Sequence, residues 1–288
     1  MNEQRKHWMN FILAFVLMAA IIQSGLDTKF SPAAFADPSN IKAMSRFAAG
    51  LWPPATETEF LTAIGKLLLE TVEISIVATA LAIVLAFPMA LAAMRPRGEE
   101  YSRTVIGTPL WLLRWFCYHA ARSILALFRG VPELMWALLF VVAVGLGPFP
   151  GVLALTAHSI GILGKLYAEI FESVDLRLVE MTRASGASEL QTLAYVRLPV
   201  TLPVFLSYTL FRWECNMRSA TVLGFVGAGG IGTQLMISMK LFMYQEVSTL
   251  IMAIFLLVVA VEMIGQYLRT HILGDPGQVK QSCRILSE

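Results

Sequence analysis

Six strongly apolar stretches, each about the length of a bilayer crossing, dominate this chain. They cover residues 8–26, 67–94, 132–149, 152–171, 200–225 and 247–268. A helix rises about 1.5 Å per residue, so about 20 mostly apolar residues carry it through a hydrocarbon layer about 30 Å thick. In lipid every backbone polar group must find a partner within the protein, which a helix provides locally. Of the 288 residues, 57% are hydrophobic and 15% are charged, where soluble domains have about 45–50% and about 25%. A soluble globule this apolar would lack polar side chains to cover its surface. The pattern predicts an all-α, polytopic membrane protein with six transmembrane helices.

Six crossings put both termini on one side, and charge decides which. One set of connections carries fourteen Lys and Arg, among them Arg95, Arg114, Arg122, Arg129, Arg183 and Arg197; the other carries five. The richer set faces the cytoplasm, so both termini are expected there. A cleaved signal peptide is the alternative for the first stretch. It has Arg5-Lys6, an apolar run and Ala34-Phe35-Ala36, which resembles a cleavage site. That site is far from the run, and cleavage would leave five crossings, so the first helix is expected to stay.

The chain shows little sign of catalytic chemistry. Cys117, Cys215 and Cys283 are scattered, and so are His7, His119, His158 and His271. No HExxH, CxxC or Gly-x-Ser-x-Gly pattern occurs, and no Gly-x4-Gly-Lys-Ser/Thr phosphate loop. Any dependence on ATP must reside in another chain. Residues 104–128 are apolar but carry Arg114, His119 and Arg122, with Trp111, Trp115 and Phe116 around Arg114. That mixture suits an amphipathic helix on the cytoplasmic surface, though residues alone leave interfacial and embedded placements open. Arg129-Gly130-Val131-Pro132 breaks it, and the third crossing is expected to rise from there. A turn at Pro148-Phe149-Pro150-Gly151 should then lead into the fourth.

Between the fourth and fifth crossings lies a polar loop, 173–199. It reads Glu180-Met181-Thr182-Arg183-Ala184-Ser185-Gly186, then nine residues, then Val196-Arg197-Leu198-Pro199. Locally this is helix, turn, helix. Ala184 and Ala187 are small enough for another surface to approach closely, Gly186 permits the turn, and Pro199 biases Leu198 away from helix. The result is a short, stiff projection below the membrane that a cytosolic partner can grip.

The loop resembles the EAA loop of binding-protein-dependent ABC importer permeases, E-A-A-x3-G-x9-I-x-L-P. Glu180, Gly186, Val196, Leu198 and Pro199 fall at its spacing; Met181 and Thr182 replace the alanines, and Val196 replaces isoleucine. Further segments resemble the phosphonate and phosphite permeases: Arg129 to Leu134; His158-Ser159-Ile160-Gly161 with Lys165 and Glu169; and Tyr208 to Ser219, continuing to Gly227-Ala228-Gly229-Gly230-Ile231-Gly232. Together they span roughly 67–273, while 1–66 carries no such resemblance.

The resemblance implies a type I ABC importer permease (MetI-like) fold. Residues 1–66 would form an N-terminal helix and periplasmic loop, 67–273 the permease core, and 274–288 a cytoplasmic tail. It also implies a homodimer in the bacterial inner membrane, two ATPase subunits seated on the EAA loops and a periplasmic substrate-binding protein. ATP and Mg would be bound by the ATPases, with no cofactor in this chain and no nucleic-acid partner. The loop residues expected to couple to the ATPase are Glu180, Arg183, Ala184, Gly186, Ala187, Leu198 and Pro199.

Gly227-x-Gly229-x-x-Gly232 spells a dinucleotide-binding fingerprint, but an apolar span precedes it and no βαβ unit surrounds it. With Gly230, these glycines are expected to make a tight periplasmic-side turn. Ionisable residues within spans cost at least about 2.5–3.5 kcal/mol at mid-bilayer, so they face protein or water. Arg212 lies about 18 Å into the fifth span, and Asn216 and Ser219 follow at i+4 and i+7 on its face. Glu214 and Arg218 are spaced to pair with each other, and His158, Lys165 and Glu169 lie near one face of the fourth span. The expected translocation path therefore draws on Arg212, Asn216, Arg218, Ser219, His158 and Lys165, where an arginine fork suits a phosphorus oxyanion. The rival assignments are a permease of the same architecture for another solute such as an amino acid, a membrane enzyme and a channel. An enzyme would need a catalytic constellation, and a channel would not need the loop.

Overall fold

The computed structural model of the protein describes residues 3–28, 37–95 and 108–273. It divides into two units, Met1–Trp52 and Pro53–Glu288. The first holds α1 (Glu3–Asp27) and α2 (Pro38–Gly50). The crossing expected at 8–26 falls within α1, whose apolar side chains are exposed throughout. Asp37 caps α2 by accepting from the Ser39 amide at 3.1 Å. The Ala34-Phe35-Ala36 segment lies outside the described residues.

The second unit begins with α3 (Thr58–Ala93), α4 (Thr108–Gly130), α5 (Glu133–Val144) and α6 (Pro148–Glu172). The loop holds α7 (Leu176–Ala184), α8 (Glu189–Thr192) and a π-helical turn, Leu193–Arg197. Then follow α9 (Leu198–Leu223), a 3-10 turn (Gly224–Val226), α10 (Ile231–Lys240) and α11 (Tyr244–Leu273). No strand occurs among the described residues. Among the described residues five helices are long and apolar enough to cross a membrane, and a sixth crossing exists if α4 and α5, which meet at 90°, count as one.

The central helix is α6, packed against α3, α4, α5 and α9. Its main partner, α3, presents Ala78, Ala82, Ala86 and Ala90 at intervals of four, all fully buried. That spacing lays the alanines along one face. Lipid gives no hydrophobic drive for helix association, so small residues that let backbones approach supply the packing. Leu163, Tyr167 and Phe171 of α6 fill the space beside this stripe, and Phe205 of α9 stacks on Tyr167.

The third crossing departs from expectation. Its helix, α5, has only 12 residues, about 18 Å and too short for a bilayer. It ends where Gly145 and Gly147 adopt φ of 106° and 135°, a region essentially reserved for glycine. The turn thus lies before Pro148, and Pro148 opens α6, as proline's fixed φ and missing N–H allow. Gly151, expected in the turn, is buried within α6.

The 104–128 stretch, from 108 onward, is also more embedded than its composition suggests. Ala121 and Leu125 of α4 are buried in the α3–α6 core. Gly161 and Gly164 of α6 make this possible: a Cβ at Gly161 would overlap the α4 backbone, and one at Gly164 the Leu125 side chain. Arg122 closes the end of α3, donating to the Ala93 carbonyl at 3.1 Å and ion-pairing with Glu172 at 3.0 Å. Glu172 also accepts from the Arg95 amide at 2.8 Å. The charge that made α4 look like a surface helix is thus its tie to two neighbours.

Candidate coupling loop and translocation path

The loop is built from local caps. Asp175 starts α7 by accepting from the Arg177 amide at 2.9 Å. The helix ends at Ala184, and Gly186 turns the chain with φ +86°. Ser188 and Gln191 form a reciprocal capping box that starts α8. Arg183 and Glu189 form an ion pair across the turn. Val179 is buried, while Met181, Leu190 and Tyr195 are 71%, 76% and 78% exposed. Of the expected coupling residues, Glu180, Ala184, Gly186 and Pro199 are exposed, and Arg183, Ala187 and Leu198 are half-buried.

Pro199 does not end a helix here. Leu198 is helical (φ −63°, ψ −49°), and Pro199 lies in the first turn of α9. The preceding π turn explains this. The Leu198 amide bonds to the Leu193 carbonyl, five residues back, and the wider turn relieves the clash that a proline ring makes with the carbonyl four residues before it. The loop therefore runs without a break into α9.

Arg212, Asn216 and Ser219 share a face of α9 as expected, and each reaches a different helix. Arg212 Nε donates to Ser159 Oγ of α6 at 3.0 Å, and Ser159 donates to Asn216 Oδ1 at 2.9 Å. Asn216 Nδ2 donates to Thr79 Oγ1 of α3 at 2.9 Å. Ser219 donates to Glu133 Oε1 of α5 at 3.0 Å. His158 joins them: one ring nitrogen is 3.4 Å from Glu133 Oε2, the other 3.1 Å from the Val131 carbonyl. Arg212 Nη2 is buried with no hydrogen-bond partner among the described residues.

Lys165 stands apart from this cluster. It pairs with Glu169 at 3.4 Å and lines a separate cleft beside Arg122 and Arg129. The expected Glu214–Arg218 pair does not form. Glu214 ion-pairs with Arg269 of α11 at 2.9 Å, and Arg218 is exposed, donating to Cys215 Sγ at 3.8 Å. Glu214 points into the α9–α11 contact, where Gly265 leaves room that a Cβ would take from its carboxylate. Sequence reasoning passed over Glu133 and Thr79 as site residues. The available signal was a carboxylate in the first turn after Pro132 and, for Thr79, a hydroxyl four residues from Ser75 in the apolar part of its helix.

The glycine turn lies toward the other end of α3. Gly227, Gly229 and Gly230 have φ of 83°, 82° and 73°. The Gly230 amide donates to Glu70 Oε1 at 3.1 Å, and the Ile231 amide to Thr71 Oγ1 at 3.0 Å. Gly232 packs against the Thr221 carbonyl too closely for any Cβ. The fingerprint-like spacing thus serves close packing, with the Gly230 and Ile231 amides taken by α3 and the Gly227 amide by the Gly224 carbonyl.

A bundle of bilayer-length helices with a polar cluster buried between spans defines a polytopic α-helical membrane protein. Residues 104–272 match the family of binding-protein-dependent transport system inner membrane components, and the chain belongs to that family. It is therefore a multi-pass inner-membrane transport subunit and not an enzyme. It is 41% identical to the phosphite transport system permease protein PtxC of Stutzerimonas stutzeri, over 71% of this chain and 69% of the relative. It is 43% identical to the putative phosphite transport system permease protein HtxE of the same organism, over 55% of this chain and 60% of that one. Among solved structures, the inward-facing MetNI methionine ABC transporter matches with a TM-score of 0.61 at 18% identity, over 75% of this chain and 99% of that chain. That likeness supports the type I permease fold.

Proposed function

We propose that this chain is the pore subunit of an ATP-driven importer for a phosphite- or phosphonate-type oxyanion. The observation that carries this reading is the 41% identity to a phosphite permease over most of both chains. The buried guanidinium of Arg212 supports it, because a spare donor among four helices is suited to attract an anion without holding it. A pore that bound its substrate tightly would stall, so selectivity would rest with the binding protein.

In this reading two copies form the pore, with 67–273 as the permease core and both termini in the cytoplasm. Two ATPase subunits bind ATP and Mg and sit on the 173–199 loops. Glu180 and Gly186 lead the contact, with Arg183, Ala184, Ala187, Leu198 and Pro199 around them. The continuous path from loop to α9 supports a rigid transfer of motion. Arg212, Asn216, Ser219, His158, Arg218 and Lys165 belong to the path in this reading, the last two standing outside the Arg212 cluster, and the Gly227–Gly232 turn sits on the periplasmic side. The test is uptake of labelled phosphite and methylphosphonate by vesicles holding the complex with its binding protein and ATP. ATP-dependent uptake of either supports the reading; uptake of an amino acid but neither phosphorus compound overturns it.

A further inference from the structure

The Arg212 cluster draws its side chains from four helices and holds, among the described residues, one carboxylate, that of Glu133. Pro132 caps α5 and sets Glu133 in its first turn, directly after the right-angle bend that follows α4. A helix N-terminus favours a negative charge there. The carboxylate is engaged at both oxygens. Ser219 of α9 donates to Oε1 at 3.0 Å, and a His158 ring nitrogen of α6 lies 3.4 Å from Oε2. Arg212 is close enough to attract the same charge. The other His158 nitrogen faces the Val131 carbonyl at 3.1 Å, so Val131 and Glu133 fasten the bend to α6 and α9. The His158 side chain is 11% exposed and that of Glu133 35%. The carboxylate therefore has open space to swing into, while the ring does not. Ser219, His158 and Arg212 are the groups that the proposed path offers to its anion, and a carboxylate already occupies them.

We propose that Glu133 is a built-in substitute for the transported oxyanion, occupying the path's polar groups in the empty pore and displaced when substrate arrives, a role that rests on the phosphorus-oxyanion reading of the pore. A carboxylate and a phosphorus oxyanion are both charged acceptors that suit the same hydroxyl and guanidinium donors. Two like charges at one set of donors repel, so one occupant excludes the other. With Glu133 in place, the Ser219 hydroxyl is not left unmet when no substrate is present. Its return also expels the anion, as a pore that must not hold its cargo requires. Displacement parts Glu133 from Ser219 and loosens the start of α5 from α9, which makes the bend responsive to cargo.

The test measures phosphite binding by calorimetry in the nucleotide-free complex of permease and ATPase, in nanodiscs and without the binding protein. Vesicle uptake by the complete wild-type system is measured beside it. The variants are Glu133→Gln, the charge-keeping Glu133→Asp, and Glu133→Gln combined with Arg212→Gln; Glu133→Ser replaces the Gln form should that fail to assemble. The Gln form is expected to bind phosphite about tenfold more tightly than wild type, because the competing charge is gone. Glu133→Asp should stay within a few-fold of wild type, and adding Arg212→Gln should cancel the gain. A merely structural role for Glu133 predicts a lower melting temperature with unchanged or weaker binding, and that result overturns the proposal. A gain that survives Arg212→Gln does the same. Wild type that transports phosphite while the Gln form binds it no better sinks the role of Glu133 alone. Wild type that transports neither phosphite nor methylphosphonate sinks the phosphorus-oxyanion reading and the role of Glu133 together.

Discussion

Arg212 of α9 donates to Ser159 of α6 at 3.0 Å, while its Nη2 lies buried without a hydrogen-bond partner among the described residues. One half of the guanidinium therefore holds two helices together, and the other half is spare. Leaving a buried donor unmet costs about 1–3 kcal/mol, a cost that a passing anion would relieve.

Substitutions at Arg212 should separate these two roles. Arg212→Lys keeps the charge but loses the fork, and should lower the melting temperature of the complex while retaining most uptake. Arg212→Gln loses the charge and should slow uptake about tenfold, the effect of about 1.4 kcal/mol on a barrier. ATPase activity stimulated by the loaded binding protein should fall less. The measurement is vesicle uptake normalised to assembled complex. Uptake by the Gln form equal to wild type would leave Arg212 a packing residue.

Gly186 offers a second separation. Its φ is +86°, and nothing among the described residues lies within 4 Å of a Cβ placed there. Strain and contact with a partner chain are thus the only obstacles to a side chain. Gly186→Val should cost about 1–3 kcal/mol through strain and abolish transport with the permease still inserted. Gly186→Asn tolerates the left-handed region and should insert normally, so its transport rate reports the contact alone. Wild-type transport by Gly186→Val would remove the loop's coupling role.

The Glu214–Arg269 pair is a structural prediction. Glu214→Gln or Arg269→Ala should destabilise the α9–α11 contact by about 1–3 kcal/mol, measured as a lower detergent melting temperature. Arg218→Ala should have little effect on stability, because Arg218 is exposed and forms no ion pair among the described residues. A larger loss for Arg218→Ala than for Arg269→Ala would mean that Glu214 pairs within its own helix.

Close approach of α4 to α6 can be tested at Gly161. Gly161→Leu places a side chain where α4 backbone already sits, and overpacking of this kind costs about 1–3 kcal/mol or more. Its yield of folded protein should drop well below that of Gly130→Leu, where nothing among the described residues lies within 4 Å. Equal yields would place α4 away from the core.

Topology is checked with reporters. A cytoplasmic reporter fused after Leu273 should be active and a periplasmic one silent. The reverse would mean an odd number of crossings.

The apolar runs made most spans legible, because lipid demands long runs of apolar side chains and α1, α3, α6, α9 and α11 supply them. The α4–α5 pair was not legible. Its depth depends on Gly161 and Gly164, which lie on a different helix and leave no mark on the 104–128 sequence. Pro148 and Pro199 misled for a related reason: a proline marks a boundary but not on which side of it the helix lies. In the site, periodicity along α9 placed Arg212, Asn216 and Ser219 on one face. It could not name Thr79, Ser159 or Glu133 as their partners, since those come from three other helices.

Glu70 and Thr71, about a third of the way along α3, hold the glycine turn, and Ala93 at the far end is held by Arg122. These anchor points lie about 35 Å apart along the helix. Between these two points the helix is a pinned strut. A push delivered near Glu172 cannot be absorbed by fraying between the two anchors; it reaches the glycine turn as a tilt of the rod. Mechanical slack must then lie elsewhere, at the right-angle bend between α4 and α5.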